Sequence, residues 1–216
     1  FEGISENPHF LNPLQARITN VTSAELQLHI RPGYVFESMD TSYQDLIITE
    51  EVLITIGKGE TFEKALKSMC IEQHNGAPIS GLEYKYMKIA SGPLLKLAEY
   101  INDKKYFNSI AQNAIWCITD DNEILNISGF EKEIAQDMRE FTFKLLDIPV
   151  PEWDEEEYLT NYQSSSYSIE IRGTMTFELI KPTHIIIGLF NEEGIMVREL
   201  HNINKLDRGY YRKDYS

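Results

Sequence analysis

The hydrophobic period of this chain changes twice, and those changes constrain the fold more than any motif. From residue 16 to residue 72 apolar and polar residues alternate, as they do in strands with one buried face. "ARITNVTSAELQLHIRPGYVFES" (16–38) runs around a Pro32-Gly33 turn, and "QDLIITEEVLITIGKGETFEKALKSMC" (44–70) turns at Gly57-Lys58-Gly59. From residue 92 the period becomes helical. "GPLLKLAEYINDK" (92–104) carries Pro93 in its first turn and Leu94, Leu97, Ala98 and Ile101 on one face. "KYFNSIAQNAIWCITDD" (105–121) repeats the pattern with Phe107, Ile110, Ala111, Ala114, Ile115 and Ile118. A third helix is expected to open on a Ser128–Glu131 capping box in "SGFE" and to continue through Ile134, Met138, Phe141 and Leu145. "DIPVPEWDEEEYLTNYQSSS" (147–166) then loses all periodicity, and strands return to the end of the chain, with Asn191–Gly194 as a hairpin turn.

The fold class expected is therefore α+β. A β-sandwich with an appended helical subdomain occupies residues 1–147, 148–165 form a linker, and 166–216 form a small all-β sandwich. Its last strand is short, so the chain is expected to continue past Ser216. No apolar run approaches the roughly 18 residues of a membrane helix. The net charge of −14 argues against a nucleic-acid partner, because phosphate backbones are held by an excess of Lys and Arg. It suits instead a secreted or cell-surface protein kept soluble by its charge.

Enzyme templates are not met. The five histidines (His9, His29, His74, His184, His201) are scattered, and no His-Glu-x-x-His, Cys-x-x-Cys or Gly-x-Ser-x-Gly occurs. "GKGE" lacks the Lys-Ser/Thr of a phosphate loop, and "TDDNE" (119–123) lacks the spacing of a calcium loop. No catalytic residue, cofactor site or metal site is expected. The chemistry rests on Cys70, one of two cysteines. It could pack in the core, bridge to Cys117, act as a nucleophile beside His74, or close a thioester. A local thioester in "CIEQ" would use Gln73, but β-branched Ile71 resists so tight a ring.

Another partner comes from "AQNAIW" (111–116). It resembles the Gln-x-Ala-Ile-Trp motif of the thioester domains of Gram-positive surface adhesins, over roughly residues 16–146. That resemblance implies a thioester between Cys70, in the strand-rich part, and Gln112, in the helical part, with Trp116 shielding it. The family usually has Thr or Ser where this chain has Ala111, and Tyr, Phe or Leu where it has Met69. The C-terminal "HIIIGLFNEEGIMVREL…LDRGYY" resembles the immunoglobulin-like modules of secreted Bacteroidetes proteins through Asn191, Gly194, Val197, Gly209 and Tyr211. Together the two imply a secreted or surface adhesion protein, not an enzyme, that attaches to amines on a host or cell-surface protein or glycan. The alternatives are a non-covalent envelope module, binding through aromatics such as Tyr84, Tyr86 and Trp153, and an enzyme with a Cys70 or carboxylate site.

Overall fold

The computed structural model describes residues 1–4, 10, 12–129, 131–164, 173–190 and 196–215. It divides into two compact units, Phe1–Ser165 and Ser166–Ser216. The described residues form a mixed α+β fold with strands in several sheets and four α-helices.

In the first unit nine strands precede the helices: β1 (Glu2–Gly3), β2 (Leu14–Thr19), β3 (Leu26–Ile30), β4 (Tyr34–Ser38), β5 (Leu46–Ile48), β6 (Val52–Ile56), β7 (Thr61–Leu66), β8 (Ser68–Cys70) and β9 (Tyr84–Ile89). They pair antiparallel in three sheets, ordered β1-β2-β7, β3-β6 and β8-β5-β4-β9. Both predicted turns form. Gly33 takes φ 90° between β3 and β4, and Gly59 takes φ 73° between β6 and β7. A β-carbon on Gly33 would run into Leu95 Cδ1 as well as demanding a left-handed backbone. Gly33→Ala is expected to cost about 1–3 kcal/mol, read as a lower thermal midpoint. A loss no larger than that of Gly59→Ala, where nothing lies near the added carbon, would count against the clash.

The alternation of β4, β5 and β8 divides the interior in two. Val35, Ile47 and Met69 face the helices, whereas Phe36, Leu46, Ile48 and Cys70 face Leu14, Ala16 and Leu66 of the neighbouring strands. This four-stranded sheet is thus covered on both faces, which is why β5 and β8 are buried along their whole length.

Three helices follow: α1 (Gly92–Lys104), α2 (Ser109–Thr119) and α3 (Lys132–Leu145). The first occupies the predicted span, with Leu97, Ala98 and Ile101 buried. The second starts later than expected because Asn108 caps it, its side-chain oxygen accepting from Ala111 N at 3.0 Å. The Ser128–Glu131 box does not form. Ser128 Oγ donates to Asn126 O, within the chain that follows a 3-10 turn at Ile124–Asn126, and α3 begins at Lys132 without a side-chain cap.

Residues 148–165 belong to the first unit instead of forming a linker. They include α4 (Glu155–Ser164). Asp154 Oδ1 accepts from Glu156 N and Glu157 N, and the three glutamates of the first turn suit the positive end of the helix dipole. Tyr158 is buried, its hydroxyl donating to Gly129 O at 2.7 Å.

The second unit contains β10 (Gly173–Leu179), β11 (Thr183–Phe190), β12 (Met196–Leu206) and β13 (Gly209–Tyr215). They form two antiparallel pairs, β10-β13 and β11-β12. Phe177 opposes Tyr211 across the first pair, ring on ring at 5.6 Å. The Asn191–Gly194 turn lies outside the described residues. The seven acidic and seven basic residues of 166–216 cancel, so the whole net charge of −14 resides in the first unit. No helix among the described residues is long and apolar enough to cross a membrane.

Candidate functional site

Cys70 ends β8, one of the two edge strands of the four-stranded sheet, and pairs with Leu46 on its inner side. An edge strand leaves backbone donors and acceptors pointing away from the sheet, and a buried one must satisfy them. Gln112 does so. Its Oε1 accepts from Cys70 N at 3.0 Å and its Nε2 donates to Cys70 O at 2.8 Å, so one carboxamide takes the place of a peptide group on a missing fifth strand. The two residues are 42 apart in the chain, and Gln112 is only 1% exposed.

Gln112 does lie off the face that α2 turns toward the helical core, but it is buried where α2 runs along the sheet edge. Trp116, one turn later, is half-buried against the strand-side cluster that contains Cys70. The structure thus gathers Cys70, Gln112 and Trp116 in one place.

Burial pushes the Cys70 thiol far above its usual range, and the nearby Glu72 carboxylate adds to the effect. Cys117 is pushed up to about 12, again chiefly by burial, with Arg139 opposing. Neither cysteine is in a disulfide. They belong to different packing clusters, Cys70 with the strands and Cys117 with the helices, where its Sγ lies 3.6 Å from Glu123 O. The Cys70–Cys117 bridge is therefore not part of this fold.

The other partners weighed for Cys70 point elsewhere. Gln73 is exposed, and its Oε1 accepts from Asn122 Nδ2 at 2.7 Å. His74 is exposed in the same loop. In "TDDNE" the Asp120 carboxylate is occupied by Gln73 N at 3.0 Å and Thr119 Oγ1 at 2.6 Å. Of the aromatics expected to face a partner, Tyr84 is buried and donates to Gln44 O at 3.0 Å, Tyr86 is exposed, and Trp153 lies half-buried beside Arg139.

Sequence reasoning missed two features. One is the buried Arg139, whose Nε donates to Ile127 O at 2.8 Å and whose terminal nitrogen donates to Leu125 O. Its guanidinium carbon lies 5.3 Å from the Trp153 ring and 5.0 Å from that of Tyr158. Burial holds its pKa below the ordinary arginine value, against the pull of Glu157. The other is Asp45, whose carboxyl is raised by burial even though it accepts from Ser38 N at 2.9 Å.

Comparison of the chain with protein-family models, with curated proteins and with solved structures finds no match.

Proposed function

We propose that this protein is a covalent attachment module of a secreted or cell-surface protein, carrying an internal thioester between Cys70 and Gln112. The observation that supports it most is the reciprocal pair of hydrogen bonds between the Gln112 carboxamide and the Cys70 backbone. This pair holds the Gln112 carboxamide against the backbone of the cysteine that would attack it, and such proximity lowers the entropic cost of an intramolecular acyl transfer.

The chemistry is as follows. Cys70 Sγ adds to the Gln112 amide carbon, and the negative charge developing on Oε1 falls on the atom that already accepts from Cys70 N, a donor placed as in an oxyanion hole. The C–N bond breaks, and the nitrogen leaves as ammonia with the thiol proton. A primary amine on the target then adds to the thioester carbonyl. The C–S bond breaks, an amide joins target to Gln112, and Cys70 regains its proton. Each molecule reacts once, so the module is a covalent binder and not an enzyme. Burial of Cys70 and the half-buried Trp116 keep water from the thioester until a partner displaces the cover.

Within this proposal the strands of the first unit are read as a β-sandwich with an appended helical subdomain, and the second unit as an immunoglobulin-like spacer. The target is an amine on a host or cell-surface protein or glycan. A second reading is a non-covalent envelope module in which Gln112 only closes the edge of the sheet. The hydrogen-bond pair is complete as it stands, which favours this alternative.

Intact mass of the native protein separates the two readings. A native mass lighter by one ammonia, which rises by one methylamine on treatment with the adduct mapped to Gln112, is the expected result. An unshifted mass with two thiols titrating after denaturation assigns Gln112 the structural role alone.

A further inference from the structure

A cleft of about 420 Å³ opens between the loop after Cys70, the side of α2 and the segment that follows it. Its volume falls within the range of about 300–1,000 Å³ typical of small-ligand sites. Five carboxamides line it: Gln73, Asn113, Asn122, Asn126 and Asn161. Ser128 and Glu123 complete the polar wall, with the side of Cys117 as the remaining surface. Asn113 directly follows Gln112 on α2, and Gln73 lies three residues after Cys70, so the cleft is built from the chain segments that carry the pair.

The lining has no lysine, no arginine, no aromatic ring and no aliphatic side chain. That composition is poorly suited to a phosphate, which needs cationic donors, and to a peptide, which needs apolar pockets for its side chains. Each carboxamide presents an acceptor oxygen and a two-hydrogen donor side by side. A sugar hydroxyl is likewise donor and acceptor at once, and neighbouring hydroxyls on a ring match such a pair. Glu123 adds an acceptor-only group for two adjacent hydroxyls.

Part of this capacity is not used inside the protein. Among the described residues the half-buried carboxamide of Asn113, the exposed carboxamide of Asn126 and the exposed carboxylate of Glu123 make no hydrogen bond within the protein and face solvent in the cleft. Asn122 Nδ2 is given to Gln73 Oε1 at 2.7 Å, which braces the loop after Cys70 against the end of α2 and orients both amides along the wall. We infer that the cleft formed by Gln73, Asn113, Asn122, Asn126 and Glu123 binds a neutral mono- or disaccharide non-covalently. The inference does not depend on a thioester forming.

The test is a titration of the intact chain with neutral hexoses, N-acetylhexosamines and their disaccharides at millimolar concentration. It is followed by saturation-transfer NMR and by the side-chain amide resonances of 15N-labelled protein. At least one sugar is expected to receive saturation and to shift the Asn113, Asn122 and Gln73 amides. Asn113→Ala combined with Asn126→Ala should weaken that binding about tenfold or more while leaving the melting temperature unchanged, since neither side chain bonds within the fold. Glu123→Gln, which keeps the shape of the wall, should weaken it as well. The inference is overturned if no sugar in the panel binds, if a bound sugar shifts amides elsewhere, or if the double variant binds as tightly as the parent. It is equally overturned if extended peptides shift these amides and sugars do not. Intact mass is recorded on the same samples, so loss of the thioester reading is seen separately from loss of sugar binding.

Discussion

Gln112→Ala is expected to destabilise the first unit by about 3–5 kcal/mol and to abolish any incorporation of methylamine. Alanine leaves Cys70 N and Cys70 O, both inside the protein, without the partners they now have at 3.0 and 2.8 Å. Each orphaned buried group costs about 1–3 kcal/mol, and the missing side chain leaves a hole between α2 and β8. Gln112→Met fills the hole without restoring the bonds, so it should recover the packing part of the loss alone. Denaturant titration of the three proteins checks the order. A parent-like Gln112→Ala would mean that solvent reaches the sheet edge, and the buried site would have to be abandoned.

Gln112→Glu adds a pH dependence of known sign. An ionised carboxylate can accept from Cys70 N, but it sets a second negative oxygen against Cys70 O. Only the protonated acid can donate there as the amide does. The folded pKa is therefore raised above the ordinary glutamate value of about 4.3. The folded state then binds the proton more tightly. The stability gained from it is complete below the unfolded pKa and is lost as pH rises through the folded one. The variant should lie closer to the parent at acid pH than at neutrality, and the opposite trend would contradict the hydrogen-bond geometry.

The second large effect falls on Arg139. Arg139→Ala should cost about 3–5 kcal/mol, because it removes the guanidinium that joins the carbonyls of Leu125 and Ile127 to α3 and also supports the Trp153 and Tyr158 rings. Arg139→Lys is not conservative here. One ammonium cannot reach two carbonyls in fork geometry while lying flat on two rings, and it should restore no more than about half of the stability. Limited proteolysis gives a local readout. Both variants are expected to be cut faster within 148–157, the segment that Trp153 and Tyr158 hold down. A variant that melts early but is cut at the parent's rate in this segment would show that Arg139 serves α3 alone.

The local patterns of the chain determined its strands and helices. Alternation placed the strands up to residue 70, the 3.6 period with Pro93 gave α1 its span, and Pro32-Gly33 and Gly57-Lys58-Gly59 gave their turns, because each signal is set by the residues' own backbone preferences. One further local signal was there to be read. Asp154 followed by three glutamates is a helix start, although the apolar period beyond it is too weak to announce α4. Ser128–Glu131 shows the converse, a cap motif whose serine is spent on Asn126 O in the turn before the helix. Tertiary structure alone decided the rest. Gln73 and Gln112 are chemically the same group. The choice between them as the amide beside Cys70 depends on α2 running along an edge strand 42 residues earlier in the chain, a relation no local period encodes. Tyr84 is buried while Tyr86 is exposed, and the amides of Gln73, Asn113 and Asn126 meet in one cleft, for the same reason. A side chain's partner is fixed by how the layers stack, and stacking follows from the summed burial of the whole first unit.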